Sequence, residues 1–277
     1  ERPAQFGDRE TLTEEEAAAV EAGAAVFQQF IDRPPPEGSV GAYNAFWLDF
    51  GTTVGEDRRS SLIVEPANGR LPALADGVAT QVGSLDEDLP GEYPWRVRSA
   101  GLGADGPEDR GLAERCLLGF NAGPPMNPSA YNNNMQLFQT PEYVAVVTEM
   151  VHTVRIIPVG DRAASSDGIR QWSGNSHGHW DGDTLVVETQ HFNDHEVYAN
   201  WRGSSRNMTV VERFTRVDDS TLSYEFTVND VDTWTSPWTA QVSMKRNDLP
   251  LFEYACHEGN YAMEVILAGA RAEEQTP

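Results

Sequence analysis

The sequence predicts a mainly β protein in which an antiparallel run of adjacent strands closes into a barrel. Two observations carry this prediction: alternating, β-branched segments dominate residues 141–256, and short turn sequences separate them. About seven such strands are long enough together for a sheet to curl onto itself. We also expect an N-terminal helix, long covering loops and a C-terminal helix.

The N-terminal helix is predicted from its start signal. Thr13 and Glu16 form a capping-box pattern, and apolar residues follow at helical spacing. A helix over about 13–32 is therefore expected, and the prolines that begin at Pro34 end it.

Residues 37–140 are predicted to form short strands and long loops. Ser60–Glu65 is a predicted strand, and the glycine- and proline-rich stretch 99–130 is either an ordered covering loop or a lid. Because this segment has little means to build a core of its own, we expect one domain over 1–277, in which 1–140 wraps the barrel.

Longer strands follow in the barrel segment, 141–256. Alternate apolar residues between Val144 and Ile156 predict one face of a strand that ends at Pro158. The later strands are expected to pair as hairpins across short turns: Arg170–Trp180 with Thr184–Phe192, Val210–Val217 with Thr221–Val228, and Thr239–Arg246 with Leu251–Ala255.

The C-terminal segment, 257–277, is expected to be helical. Its apolar residues recur at helical spacing over 260–273, and Asn260 is the expected cap.

Charge excludes several classes of partner and mechanism. Forty-three acidic against twenty basic residues give a formal net charge of −23, which repels nucleic-acid phosphates. Lys245 is the only lysine, so we discard a lysine Schiff base and a phosphate-loop lysine. Since no run approaches the roughly 20 apolar residues of a membrane helix and no leader precedes Glu1, we expect a soluble, already processed protein without membrane insertion.

The two cysteines are far apart in the chain. Neither Cys116 nor Cys256 stands in a CxxC motif or beside clustered histidines, so zinc is not indicated. Export to an oxidising compartment favours a disulfide between them over two buried free thiols. We therefore predict this bridge and a periplasmic or secreted location.

Short motifs are spread along nearly the whole chain. They are Gly178–Thr189, Tyr43-Asn44 with Phe46-Trp47, Ser61–Val64, Tyr131–Asn134, Thr148–His152 and Tyr254–Tyr261. These motifs resemble those of a family of exported bacterial proteins of unassigned function. The resemblance implies export, one shared fold and, for the barrel half, a likeness to lipocalins and other calycins. It implies no reaction.

A nucleophile motif surrounds Ser176. Residues 174–178 match G-x-S-x-G, which requires a strand before the serine and a helix after it. Because a predicted strand follows instead, a polar filler in a glycine-rich strand is favoured over a serine hydrolase.

Two alternating histidines, His177 and His179, share one face of this strand. With His191 or His195 they could bind a transition metal. No Asp or Glu stands at a recurrent ligand spacing, so the metal is only a weak alternative, and no cofactor is expected.

His257 and Glu258 lie between the last predicted strand and the C-terminal helix. The positive end of a helix favours an anion and keeps a nearby imidazole neutral, as a general base should be. The alternative interpretation is a capping turn held by Cys256.

His152 lies on the mostly apolar face of its predicted strand, with Glu149 and Arg155 on the opposite face. A buried, hydrogen-bonded core histidine is the first interpretation. If that face lines a cavity, His152 becomes an acid/base candidate whose pKa is lowered by desolvation.

Other side chains could hold a substrate. Consecutive asparagines offer amide donors to a developing oxyanion, or they build turns. Tryptophans could stack on a ligand, or they fill the core. The predicted substrate-binding residues are Tyr131, Asn132, Asn133, Asn134, Arg155, Trp47, Trp172 and Tyr254.

Two functions compete, and both take a small molecule. The first is a metal-independent lyase, hydratase, isomerase or hydrolase in which His152 or His257 exchanges a proton and Glu149 or Glu258 orients it. The second is a lipocalin-like carrier of an apolar or aromatic ligand, and a structural role is third. Converging titratable groups in the cavity favour the enzyme, whereas an apolar lining favours the carrier. The oligomeric state stays open.

Overall fold

The architecture comes from a computed structural model that describes residues 1–31, 33, 48, 51–77, 104–107, 110, 112–119, 121–161, 168–193 and 205–275. Within these residues the regular structure is nine strands, two α-helices and two 3-10 turns, which confirms a mainly β protein. The strands are β1 (Ile63–Glu65), β2 (Met135–Gln139), β3 (Tyr143–Thr148), β4 (Val154–Pro158), β5 (Asn175–Asp181), β6 (Thr184–Gln190), β7 (Thr209–Arg216), β8 (Thr221–Asn229) and β9 (Trp238–Lys245).

The N-terminal helix, α1, spans Glu14–Ile31 and begins with the predicted capping box. Glu16 N–H donates to Thr13 Oγ1 at 3.2 Å, and Thr13 N–H donates to Glu16 Oε2 at 2.9 Å. Hydrogen bonds from Arg9 and from the Thr13 backbone lower the pKa of Glu16 to about 2. The carboxylate therefore stays charged at the helix start, where the helix dipole favours it.

Six strands form one antiparallel sheet in the order β1-β9-β8-β7-β6-β5. The predicted hairpins β5–β6 and β7–β8 are both present. Gly182 supplies a φ of +60° in the turn between β5 and β6, a conformation that glycine adopts without steric cost.

Three strands form the second antiparallel sheet, in the order β2-β3-β4. Val144 and Val146 of β3 and Ile157 of β4 are buried in the same hydrophobic cluster as Phe214 and Phe226 of the larger sheet. The two sheets therefore share one core.

The described strands do not close into the predicted barrel. Among the described residues, the backbones of the two sheets hydrogen-bond to each other just past the end of β4: Val159 forms a single bridge to Gly178, and Gly160 N–H donates to Gly178 O at 2.9 Å. A Cβ atom at Gly178 would lie 3.2 Å from Ile157 Cγ2, so glycine permits the approach. Since β4 ends at Pro158, which has no N–H to donate, a longer ladder to β5 does not form.

The predicted long strand between Val144 and Ile156 is wrong, because the chain reverses inside it. Val151 and His152 have positive φ angles of 54° and 41°, and they form the turn that joins β3 to β4. The alternation of apolar residues continues through this turn in the sequence, which imitates one strand. Beyond the turn the phase changes, so Arg155 is buried while its neighbours on β4 are exposed.

The predicted strand Leu251–Ala255 is also absent: these residues are described and form no strand. The second neighbour of β9 is β1, through Ile63 and Ala240. Residues 251–255 instead cross to the β3–β4 turn, where Phe252 N–H donates to Glu149 Oε1 at 3.3 Å.

The C-terminal helix, α2, spans Ala262–Glu274, two residues later than its predicted start. Asn260 Oδ1 accepts from Ala262 N–H at 3.1 Å just before the helix. Cys116 and Cys256 are bonded, so the predicted disulfide is confirmed, and it ties the segment before α2 to residues 112–119. Neither helix in the described part of the chain has the length and apolar character that crossing a membrane requires.

Candidate functional site

One cleft, with a volume of about 570 Å³, opens along the free edge of β4. Its walls come from the β3–β4 turn, from β4, from residues 170–176 and from the chain around Cys116. We call it the β4 cleft. Its volume lies within the range of small-molecule sites, roughly 300–1,000 Å³.

His152 lines the β4 cleft from the β3–β4 turn and is exposed. The prediction that it lies on a strand face is therefore wrong, because the turn lifts it out of β3. Its backbone N–H donates to Glu149 O at 3.1 Å, which closes the turn. An exposed imidazole at the mouth of a cleft can exchange a proton with a bound molecule.

Glu149 is buried beneath the turn, and both of its carboxylate oxygens are occupied. Oε2 accepts from Asn134 Nδ2 at 2.8 Å, and Oε1 accepts from the Phe252 backbone. The side chain therefore fixes three chain segments against one another. It can position His152 only through the backbone of the turn.

The asparagines of residues 131–134 serve turns. Asn133 Oδ1 accepts from Ser129 N–H at 2.8 Å, and Asn132 adopts a φ of 53°. Tyr131 and Tyr254 pack against the cluster that holds the disulfide. None of these side chains is among the described residues that line the β4 cleft.

Arg155 extends from β4 into the protein and is 6% exposed. Its Nη2 donates to Glu212 Oε2 of β7 at 2.7 Å. Tyr224 Oη donates to Glu212 Oε1 at 2.8 Å and accepts from Met126 N–H at 2.9 Å. Nε and Nη1 of Arg155 are buried and hydrogen-bond to no atom of the described residues.

Burial sets the protonation of this network. Desolvation, and then the charge of Glu212, raise the pKa of Tyr224 well above its usual value. The hydroxyl therefore stays protonated and donates to Glu212. One carboxylate oxygen of Glu212 accepts a hydrogen bond from Tyr224, and the other accepts one from Arg155.

Residues 170–176 also line the cleft, and the predicted strand Arg170–Trp180 begins only at Asn175. Arg170 Nη1 donates to two backbone oxygens, Phe192 O and Arg206 O, each at 2.9 Å. Trp172 lines the cleft and packs against the cluster formed by Leu112, Leu118 and Ala122.

Ser176 also lines the cleft, but it is the second residue of β5. Its hydroxyl lies 2.8 Å from Thr189 Oγ1 on the neighbouring strand. No helix follows it, so the elbow geometry of a serine hydrolase is not formed, as the sequence predicted.

The formally charged side chains among the described residues of the β4 cleft lining are Arg155, which is paired with Glu212, and Arg170. His152 also lines the cleft, and no Asp or Glu among the described residues does. Arg170 forms no ion pair with any residue that the structure describes. The surroundings of the cleft therefore favour a negatively charged ligand.

His257 lies in a second, smaller cleft of about 260 Å³ beside α2, together with Glu114, Asn260 and Met263. His257 and Glu258 are exposed and stand in the turn that precedes the helix. The two clefts share Cys116 and Leu117 but no histidine, so the structure does not bring His152 and His257 into one site.

His177 and His179 lie on β5, opposite Glu188 and Val186 of β6. No group of three or more His, Cys, Asp or Glu side chains able to hold a metal occurs in the described part of the chain. Trp47 and His195 lie outside the described residues, so their predicted roles stay predictions.

Sequence reasoning missed Arg170, Glu212 and Tyr224. For Glu212 a signal was present, because it occupies an inward position of the alternating strand between Val210 and Phe214. A charged residue there requires a buried partner. The partner, Arg155, is 57 residues away, and nothing in the sequence specifies that pairing.

The fold and site define a two-sheet, mainly β protein with one disulfide and an arginine-lined cleft at a strand edge. No protein-family model, curated protein or solved structure matches this chain. Its function is therefore argued from the site alone.

Proposed function

We propose that the protein is a small-molecule enzyme that uses acid/base chemistry without a metal, and that the β4 cleft is its active site. One observation carries the proposal. A titratable His152, two arginines, and the hydroxyl and amide groups of Ser176 and Asn193 meet in one cleft of suitable volume. The lining of an apolar carrier would lack this convergence.

In this proposal His152 exchanges the proton. Histidine changes its charge near neutral pH, so it can act as base in one step and as acid in the next. Glu149 is a positioning residue, because it anchors the backbone of the turn that presents His152. Arg155 and Trp172, both predicted to bind substrate, would both contact the molecule.

His257 and Glu258 take no part in this mechanism, since they line or flank a different cleft. The supporting residues Asn132, Asn133 and Asn134 act on turns rather than on the substrate. The proposed reaction class is the one predicted from the sequence: a lyase, hydratase, isomerase or hydrolase.

A carrier is the second candidate, and one observation favours it. Val154 and Ile156 of β4 are more than half exposed, and they line the cleft together with Trp172. An apolar or aromatic ligand could rest on these side chains without being changed.

We also propose that the protein is exported and belongs to the bacterial family that its motifs resemble. The disulfide supports an oxidising compartment, such as the periplasm or the outside of the cell. The barrel of a lipocalin or calycin would require a closure that the described strands do not make.

The test is a turnover screen followed by two substitutions. The protein is incubated with a panel of hydroxy acids, unsaturated acids, esters and phosphate esters, and products are detected by mass spectrometry. For any substrate converted, His152→Gln is expected to lower the rate by about 100-fold or more, the usual loss for a general acid/base. His179→Gln, an exposed histidine of β5 outside the cleft lining, is the matched control.

Full activity of His152→Gln would contradict the proposal, and so would loss of the parent activity on treatment with a chelator. A compound that binds in the cleft and is recovered unchanged under every condition would favour the carrier instead. Loss of activity in His257→Gln alone would move the site to the cleft beside α2.

A further inference from the structure

We infer that the β4 cleft recognises a small molecule that carries a carboxylate or phosphate group on an apolar body, and that Arg170 and Arg155 bind the anionic group. This inference deepens the proposed function by naming the class of its substrate. Three independent features of the cleft lead to it.

The first feature is the uncompensated charge of Arg170. Acidic residues outnumber basic ones by 43 to 20 in this chain, so arginine usually has a carboxylate within reach. Arg213, Arg216 and Arg271 each pair with one. Arg170 is half-buried, and among the described residues its hydrogen bonds go to the backbone oxygens of Phe192 and Arg206. Neutral backbone oxygens hold the guanidinium of Arg170 in place without neutralising its charge, so an anionic ligand can pair with it.

The second feature is the unused hydrogen-bonding capacity of Arg155. Glu212 engages only Nη2, while Nε and Nη1 are buried without a partner among the described residues. A buried N–H group of an arginine that lacks an acceptor costs free energy, and a ligand oxygen that reaches it restores the bond. Arg155 is among the residues that line the cleft, and a ligand oxygen would reach Nε or Nη1 once the side chains that cover these buried atoms move aside.

The third feature is the apolar rim. Trp172, Val154 and Ile156 are among the residues that line the cleft, and Val154 and Ile156 are 53% and 60% exposed. Exposed apolar side chains beside a charged centre fit a ligand with an apolar body and one charged end. A free inorganic anion would leave this rim uncovered.

The mechanism gives the anionic group a use. An anion held by Arg170 and Arg155 would orient the rest of the molecule toward His152 in the turn. Orientation of this kind accelerates a reaction without any contact between the arginines and the reacting atoms. Arg155 and Arg170 are thus binding residues, and His152 is the catalytic one.

The test measures equilibrium binding and needs no turnover. Benzoate, phenyl phosphate and neutral benzamide are titrated into the disulfide-bonded protein by calorimetry at low ionic strength. Benzoate or phenyl phosphate is expected to bind at least about 10-fold more tightly than benzamide, because only the anions form charge-assisted bonds to arginine. Whichever of the two anions binds more tightly shows whether the cleft prefers a carboxylate or a phosphate group. Inorganic phosphate alone is expected to bind more weakly than phenyl phosphate.

Arg170→Gln removes the charge and is expected to weaken the preferred anion by about 10-fold or more while benzamide is unaffected. Arg216→Gln is the matched control, since it removes the same charge from an exposed residue outside the cleft lining. Arg155→Lys keeps a charge beside Glu212 but loses the planar donors, and it is expected to weaken the anion as well.

Equal affinity for benzoate, phenyl phosphate and benzamide overturns the inference, as does the absence of measurable binding by either anion. An equal loss in Arg216→Gln and Arg170→Gln also overturns it, because the effect would then be one of net charge. The comparison of the three ligands on the parent protein stands even if a variant fails to fold. If no anion binds but turnover still depends on His152, the proposed anionic substrate is wrong and the proposed enzyme stands. If an anion binds but no compound is turned over, the proposed enzyme is wrong and anion recognition stands.

Discussion

The backbone of Val151 and His152 departs from the extended conformation of β3 and β4 on either side. Two consecutive residues other than glycine have positive φ angles, 54° and 41°, and Val151 is β-branched. This region costs roughly 1–2 kcal/mol for a residue with a Cβ atom, and such strain is often found at functional sites. The turn is held by the buried Glu149, so its strain fixes the place of the His152 side chain.

The backbone strain at His152 can be measured as a difference in stability between two substitutions. The side chain is exposed, so a substitution there removes little packing. The free energy of unfolding of His152→Gly is expected to exceed that of His152→Ala by about 1 kcal/mol. The glycine variant is the more stable because glycine adopts a φ of 41° without the Cβ clash. Urea denaturation of the two variants, with the disulfide intact, measures the difference. Equal or greater stability of the alanine variant would show that the turn is not strained.

Single residues were predictable where their partners are close in the sequence. Thr13 and Glu16 are three positions apart, and their two reciprocal hydrogen bonds are present. His152 was predicted to lie in a strand because its turn contains no glycine. The positive φ angles of the turn are adopted by Val151 and His152, which give no turn signal in the sequence. Arg170 was missed because its partners are backbone oxygens, which no side-chain pattern reveals.

The two sheets are joined by a buried polar network as well as by apolar packing. Arg155 belongs to β4 in one sheet, and Glu212 and Tyr224 belong to β7 and β8 in the other. Met126, which contributes its backbone N–H, comes from the covering segment before β2. Each member is at most 6% exposed, so the bonds are not exchanged for bonds to bulk water.

Glu212→Gln therefore tests the link between the sheets. The change leaves the guanidinium of Arg155 buried without a counter-charge, and the free energy of unfolding is expected to fall by about 3 kcal/mol or more. Glu188→Gln, on the exposed face of β6, makes the same chemical change and is expected to stay within about 0.5 kcal/mol of the parent. Chemical denaturation measures both. A loss in Glu212→Gln no larger than that in Glu188→Gln would contradict the assigned role.

The elements were predictable where turn chemistry is explicit. The Asp-Gly-Asp turn predicted the β5–β6 hairpin, and polar residues 218–220 predicted β7–β8. The β3–β4 turn has no such signal, so two strands were read as one. The partner of β9 is β1, which precedes it by more than 170 residues, and pairing at that distance leaves no local trace in the sequence.

At the scale of the whole molecule, the disulfide connects the two clefts. Cys116 lines both, and its bond to Cys256 spans a sequence separation of 140 residues. A constraint on so long a loop stabilises the folded state by about 5 kcal/mol in the chain-entropy model. The bridge thus holds the C-terminal segment against the wall that the β4 cleft shares with the cleft beside α2.

The architecture was predicted in part. Strand content and antiparallel hairpins follow from local alternation, and these are confirmed. The division into two sheets depends on where β4 ends and on the close approach of Gly178 to Ile157, which are properties of the assembled molecule. A barrel and two sheets around one core place the same residues inward, so their sequence patterns are alike.

The central claim is that the β4 cleft, and not the cleft beside α2, is where the protein meets its ligand. The most direct measurement follows the imidazole Cε1–H resonances of His152 and His257 by NMR while benzoate and phenyl phosphate are added, with His152→Gln and His257→Gln used for assignment. The His152 resonance is expected to shift to saturation along the binding isotherm, while the resonance of His257, which lines the second cleft and not the first, stays in place. A saturating shift of His257 with an unmoved His152 would contradict it.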